Sequence, residues 1–262
     1  MSARAALLRG DLTARRSALV ELQASAAGDL DEEDLEALVG CLATPSKAVQ
    51  RAAADLCAAL HRGGAPLRAL LVRAVDSDDS NLRWGAAYAL GRLPEDAVEG
   101  LPAAVESLGS GDGDVRWAAA EMVVRLARSR PEIGKRLLEA MTDAVPERRK
   151  MALYCLRDLG VADDATRTGI LGALGDADEG VALAALATAA RLAPDDQATV
   201  REVLALLGAS RSTIQRAAAS ALGHVGRGSA DVDAALQRAA ASGDESLRRA
   251  AEGALQRRRA GR

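Results

Sequence analysis

Four aromatic side chains carry most of the chemical interest of a 262-residue chain that has no phenylalanine: Trp84, Tyr88, Trp117 and Tyr154. Trp117 and Glu121 are four residues apart, a spacing that puts a ring and a carboxylate on one helix face. Trp84 and Tyr88 add further stacking surface, and Arg116, Arg149 and Lys150 add positive charge in the neighbouring segments. The same rings, with arginine nearby, are also the usual anchors of a protein interface. Conventional catalytic sets are missing. The two histidines, His61 and His224, are far apart in the chain, and no phosphate-binding glycine loop or Ser-His-Asp set occurs. Cys41, Cys57 and Cys155 have no metal-ligand spacing and read as reduced thiols of a cytoplasmic protein. No catalytic residue, cofactor or metal site is expected.

Composition narrows the elements that must position these residues. With 49% hydrophobic residues the chain can bury a core, but only 2% are aromatic, so that core is built from Leu, Val and Ala. Closely spaced helices suit such side chains, and alanine is the best helix former. The net charge of −3 argues against nucleic acid as the partner. Three lysines against 31 arginines fit a GC-rich bacterial codon bias. The first eleven residues hold no signal-like apolar stretch, and no run reaches the roughly 18–20 apolar residues of a membrane span. A cytoplasmic monomer that does not enter membranes is expected.

Self-similarity decides the fold. Segments such as SNLRWGAAYALGRL from Ser80, GDVRWAAAEMVVRL from Gly113 and STIQRAAASALGHV from Ser212 align on a first apolar residue. These anchors are Val49, Leu82, Val115, Val181, Ile214 and Leu247, spaced 33, 33, 66, 33 and 33 residues apart. The double gap predicts a copy at 148, where Arg148 takes the anchor place but the apolar pattern continues. A weaker copy covers about 7–26, and the regular copies cover about 30–258.

Counting each anchor as zero, places +3, +4, +7, +8 and +11 are apolar or small and share one helix side. Ser46, Asp79, Asp112, Asp178 and Asp244 precede the anchors as N-caps, and Pro146 serves the copy at 148. Second amphipathic segments lie between the motif helices, for example Leu67–Ala74 and Ile133–Met141, so each repeat is a helical hairpin that must stack on its neighbours. Arg83, Arg116, Arg149 and Arg248 at +1 are expected to bridge to aspartates such as Asp79 and Asp112. The row Arg148, Arg149 and Lys150 is expected to loosen its repeat by like charge. The basic end, Arg257 to Arg262, reads as a polar cap with a frayed terminus.

The pattern of Asp79, Leu82, Arg83, Ala86, Ala89, Leu90 and Gly91 resembles the HEAT-repeat family, especially the short bacterial form found in phycobilin lyases. The resemblance spans nearly the whole chain. It implies an all-α fold, an α-α superhelix or HEAT-like solenoid of about seven to eight hairpins, as one domain over 1–262. It also implies that the motif helices line a concave side. A looser likeness to HEAT-like alkylpurine DNA glycosylases implies that Trp117 and Glu121 meet one damaged nucleotide, with Trp84 and Tyr88 stacking beside it and Arg116, Arg149 and Lys150 holding phosphates, although that family uses Asp where this chain has Glu121. Glu121 also has an ordinary partner in prospect, Arg125 at i+4. The repeat subtype further suggests a bilin lyase-like chromophore chaperone. The His-Glu pairs of HEAT-like di-iron hydroxylases are absent.

All four rings fall at +2 or +6 of consecutive motif helices. At about 100° per residue these places face away from the core stripe. Trp84, Tyr88, Trp117, Glu121, Lys150 and Tyr154 are therefore expected to form an exposed ridge on the concave face, flanked by Arg51 and Arg216. The plainer alternative has Trp84 and Trp117 packing against the next repeat. The leading expectation is a non-catalytic scaffold for a protein partner.

Overall fold

Aspartates start most motif helices, as the spacing predicts. Asp79 accepts from the backbone N–H of Asn81 at 2.8 Å, Asp112 from Asp114 at 2.9 Å, Asp178 from Val181 at 3.0 Å and Asp244 from Ser246 at 2.8 Å. Ser46 departs from the pattern, since it precedes its helix without a side-chain capping bond. Pro146 opens its helix at the first position, where a missing N–H costs nothing.

The structure, a computed structural model, describes residues 2–24, 29–93 and 97–260. Residues 25–26 of the weak first copy and 261–262 of the basic end lie outside these. Among the described residues the regular elements are all helical, and the chain divides into two compact units, residues 1–107 with 117–126 and residues 108–116 with 127–262. The first unit holds α1 (Ala3–Arg9), α2 (Leu12–Gln23), α3 (Glu32–Gly40), α4 (Lys47–Arg62), α5 (Leu67–Ala74), α6 (Ser80–Leu90) and α7 (Leu101–Ser107), with the central part of α8 (Gly113–Ser129). The second holds the ends of α8 with α9 (Ile133–Ala140), α10 (Pro146–Leu159), α11 (Asp164–Leu174), α12 (Glu179–Leu192), α13 (Gln197–Ala205), α14 (Ser212–Leu222), α15 (Ala230–Ala240) and α16 (Glu245–Ala260). Sixteen α-helices among the described residues match eight hairpins, the upper end of the expectation.

Two layers follow from the hairpin repeat. In the first unit α2 packs on α4 and α4 on α6, while α1 packs on α3 and α3 on α5. In the second, α10, α12, α14 and α16 form one row, and α9, α11 and α13 the other. The core stripe is buried as the pattern requires. Ala86, Ala89 and Leu90 of α6 are fully enclosed, as are Ala119 and Val123 of α8 and Ala184, Ala185 and Ala189 of α12. At +3 of α6 even alanine is too large. A Cβ on Gly85 would lie 2.4 Å from the Leu42 carbonyl oxygen and 2.7 Å from the Leu42 Cβ. Glycine there lets the helix backbone rest directly on the segment that follows α3.

The arginines at +1 are structural, but their partners differ from the expected aspartates. Each reaches back six residues to a carbonyl of the preceding turn: Arg83 to Ser77, Arg116 to Ser110, Arg149 to Asp143 and Arg248 to Ser242. Two also hold an acid of another helix or turn in a fork, Arg83 on Glu106 and Arg149 on Asp176. Asp79 and Asp112 are occupied as caps instead.

The charge row of α10 is likewise balanced. Arg148 bonds Asp143 at 2.6 Å and Arg149 bonds Asp176 at 2.7 Å, so two of the three cations carry their own anion. The expected loosening by like charge has no basis in this geometry. The basic end is also corrected. α16 continues to Ala260, and Arg258 is one of the few buried charged residues. It donates to the carbonyls of Leu222, Val225 and Gly226 and pairs with Asp233. The last repeat is closed by the buried Arg258, with Gln256, Arg257 and Arg259 exposed around it as a polar edge.

Candidate functional site

In the first unit the candidate residues lie on three consecutive motif helices. Arg51 is exposed on α4, Trp84 and Tyr88 are one turn apart on α6, and Trp117 and Glu121 are exposed and one turn apart on α8. Their exposure is uneven. Trp117 is 55% exposed, whereas Trp84, expected to face solvent with it, is 7% exposed. By helix geometry Trp84 lies away from the core stripe of its own helix. On an inner helix, however, the flanks are not open, because α4, α5 and α7 all pack against α6. Tyr88, half-buried, tilts at 42° to the Trp84 ring with centroids 5.5 Å apart. The expectation of an exposed Trp84 is corrected: the ring is buried.

Two arginines outside the expected ridge, Arg92 and Arg125, border this surface. The Arg92 guanidinium lies 4.4 Å from the Tyr88 ring centroid, donates to the Tyr88 hydroxyl, and places Nε 3.2 Å from Asp55 Oδ1. Arg125 does not pair with Glu121. It donates to the Gly91 carbonyl at 2.5 Å, past the end of α6. The signal for both was legible, since they occupy place +10 of successive copies, as do Arg191 and Arg257. Arg191 and Arg257 reach the Arg157 and Ser220 carbonyls near the ends of α10 and α14.

In the second unit Tyr154 and Lys150 are half-buried on α10, and the Arg157 guanidinium covers the Tyr154 ring at 4.8 Å. Arg216, half-buried on α14, donates Nε to the Ser212 carbonyl at 3.3 Å. Both units therefore place an arginine over a half-buried tyrosine at +6.

The remaining reactive side chains have structural surroundings. Cys41, Cys57 and Cys155 are buried and unbridged. Burial pushes the Cys155 thiol up to about 12 and the Cys57 thiol higher, so neither supplies a thiolate near neutral pH. His61 Nδ1 lies 3.3 Å from the Ala65 carbonyl, and His224 belongs to the other unit, its pKa lowered by burial and then by Arg257 and Arg227. Among the described residues no three His, Cys, Asp or Glu side chains gather as metal ligands, and no helix is long and apolar enough to cross a membrane.

The fold class is that of an α-α superhelix of helical hairpins. Residues 35–124 match the family model for HEAT repeats, which identifies the repeat in that part of the chain. Two solved structures with TM-scores above 0.5 share the fold. An engineered protein is 20% identical with a TM-score of 0.51, covering 98% of this chain and 77% of that one. The YibA protein of Escherichia coli is 14% identical with a TM-score of 0.52, covering 91% and 96%. Human deoxyhypusine hydroxylase, solved with glycerol, is 18% identical with a TM-score of 0.40 over 98% and 95%. No curated protein matches the sequence. HEAT repeats generally form scaffolds that mediate interactions, and a helical repeat scaffold is what the family match supports.

Proposed function

We propose that this protein is a non-catalytic scaffold that binds a protein partner on the face formed by places +2 and +6 of its motif helices. It acts as a cytoplasmic monomer and as one repeat array over 1–262. In the first unit the contact residues are Trp117, Glu121, Tyr88 and Arg51, with Trp84 supporting Tyr88 from beneath. In the second they are Lys150, Tyr154 and Arg216. One observation carries the reading: Trp117, the largest of the exposed apolar side chains among the described residues, presents 55% of its surface to solvent. An exposed indole with a carboxylate one turn away suits an interface anchor. The experiment is affinity capture from the native host with the wild-type chain and with Trp117→Ala, followed by mass spectrometry. The scaffold reading expects a protein retained by the first and lost with the second. Identical captured sets would remove it.

A further inference from the structure

The first unit contains a groove of about 860 Å³ between α2, α4 and the C-terminal ends of α6 and α8. Its volume is that of a site for side chains rather than for a single ion. Apolar groups form the floor. Leu19, Leu56 and Leu93 are buried there, and Val20 stands 68% exposed at the edge. Four arginines line it, Arg16, Arg62, Arg92 and Arg125, against one carboxylate among the described lining residues, Asp55.

These charges are not equivalent. Arg92 already neutralises Asp55, and Arg125 is tied to the Gly91 carbonyl. Arg16 and Arg62 are exposed and make no salt bridge with another described residue. The groove is thus a positive, apolar-floored site in a chain whose net charge is −3.

We propose that this groove binds an acidic amphipathic protein helix, its leucine-like side chains on Leu19, Val20, Leu56 and Leu93 and its carboxylates on Arg16 and Arg62. This rests on the scaffold reading and names the chemistry of the partner. Charge complementarity selects an acidic occupant, since guanidinium forks carboxylates well. The apolar floor selects a helix with apolar side chains at i, i+4 and i+7, the helix-in-groove mode of recognition. Nucleic acid also carries negative charge, but among the described residues lining the groove there is no aromatic side chain to stack its bases.

The test is fluorescence anisotropy on the purified full chain with three labelled probes. They are a helical peptide bearing Leu on one face and Glu beside it, the same peptide with Lys for Glu, and a single-stranded oligonucleotide. The acidic peptide is expected to bind saturably and more weakly at high salt. Arg16→Glu with Arg62→Glu should weaken it at least about tenfold, and Val20→Asp should weaken it similarly. Melting curves confirm that these surface variants remain folded, while Arg16→Ser with Arg62→Ser supplies a milder pair. Absence of saturable binding, equal binding by the Lys peptide, tighter binding by the oligonucleotide, or indifference to the arginine variants would overturn the proposal. Trp117 does not line the groove, so a failure of the Trp117→Ala capture experiment leaves this titration readable on its own.

Discussion

Arg258 Nε lies 2.6 Å from Asp233 Oδ1, and the arginine side chain is only 3% exposed. Its remaining N–H groups reach Val225 O at 2.9 Å and Gly226 O at 2.8 Å. One side chain therefore ties α16 to α15 and to the turn between α14 and α15. Arg258→Ala would remove the donor to three buried carbonyls and the buried cation paired with Asp233. It should cost about 3–5 kcal/mol in denaturant unfolding, the range for breaking a buried ion pair. Arg259→Ala, on the exposed side of the same helix, should change stability by less than about 0.5 kcal/mol.

Gly85→Ala reverses the usual helix rule. Alanine is favoured over glycine inside a helix by about 1 kcal/mol. Here the new methyl meets the backbone of Leu42, which cannot swing aside as a side chain would. A net loss of about 1–3 kcal/mol is expected from overpacking. A variant that melts at or above the wild-type temperature would show that α6 does not rest on Leu42 in this way. Gly172→Ala, with open space at its Cβ in α11, is the control and should be neutral or stabilising.

Acid should act through α10. The Arg149 side-chain hydrogen bond holds the Asp176 carboxyl below its usual range, and the Val145 backbone N–H, followed by Arg148, does the same for Asp143. Lowered folded-state pKa values give stability that is fully present above the unfolded aspartate value, near 3.9, and lost as pH falls through the folded values. Asp176→Asn should therefore cost about 1.5–3 kcal/mol at pH 7 and have less effect near pH 2, since the bond joins charged groups that are 17% and 13% exposed. Chemical denaturation at the two pH values reads the difference. An equal loss at both would detach the bond from the titration.

The repeat itself was legible, because its signals are local. A 33-residue period, an aspartate cap and a 3.6-residue stripe each depend only on neighbours in the chain. Arg83 and Arg149 showed as structural for the same reason, yet their partners, Glu106 and Asp176, depend on how the following hairpin lies. Trp84 shows the limit of the helix wheel. The wheel gives a direction from one helix axis, whereas exposure also depends on the helices on either side. Arg258 looked like a break in the apolar pattern at +11. In the structure it is buried like the Leu or Val it replaces, with carbonyl acceptors taking the place of apolar neighbours.

Glu121→Gln separates binding from chemistry. Glu121 is exposed on α8 and has no salt bridge to Arg125 among the described residues. A scaffold should tolerate the change with a modest, less than about tenfold, loss of affinity, as for an exposed interface charge. An enzyme using this carboxylate to stabilise a cationic transition state would lose about two or more orders of magnitude in rate. Excision of an alkylated base from an oligonucleotide by the wild type, lost in the variant, would overturn the non-catalytic reading.

The two tryptophans give the most direct test of the binding face, because their burial differs so much. Partner affinity and melting temperature are measured together for Trp84→Ala and Trp117→Ala. Trp84→Ala removes a buried ring and should melt early, losing about 3–5 kcal/mol. Trp117→Ala should keep the wild-type melting temperature within a degree or two while partner binding weakens by about 2 kcal/mol or more, the scale of an interface anchor. Unchanged affinity in Trp117→Ala, or a loss of binding that follows unfolding alone, would contradict the assignment of this face to partner binding.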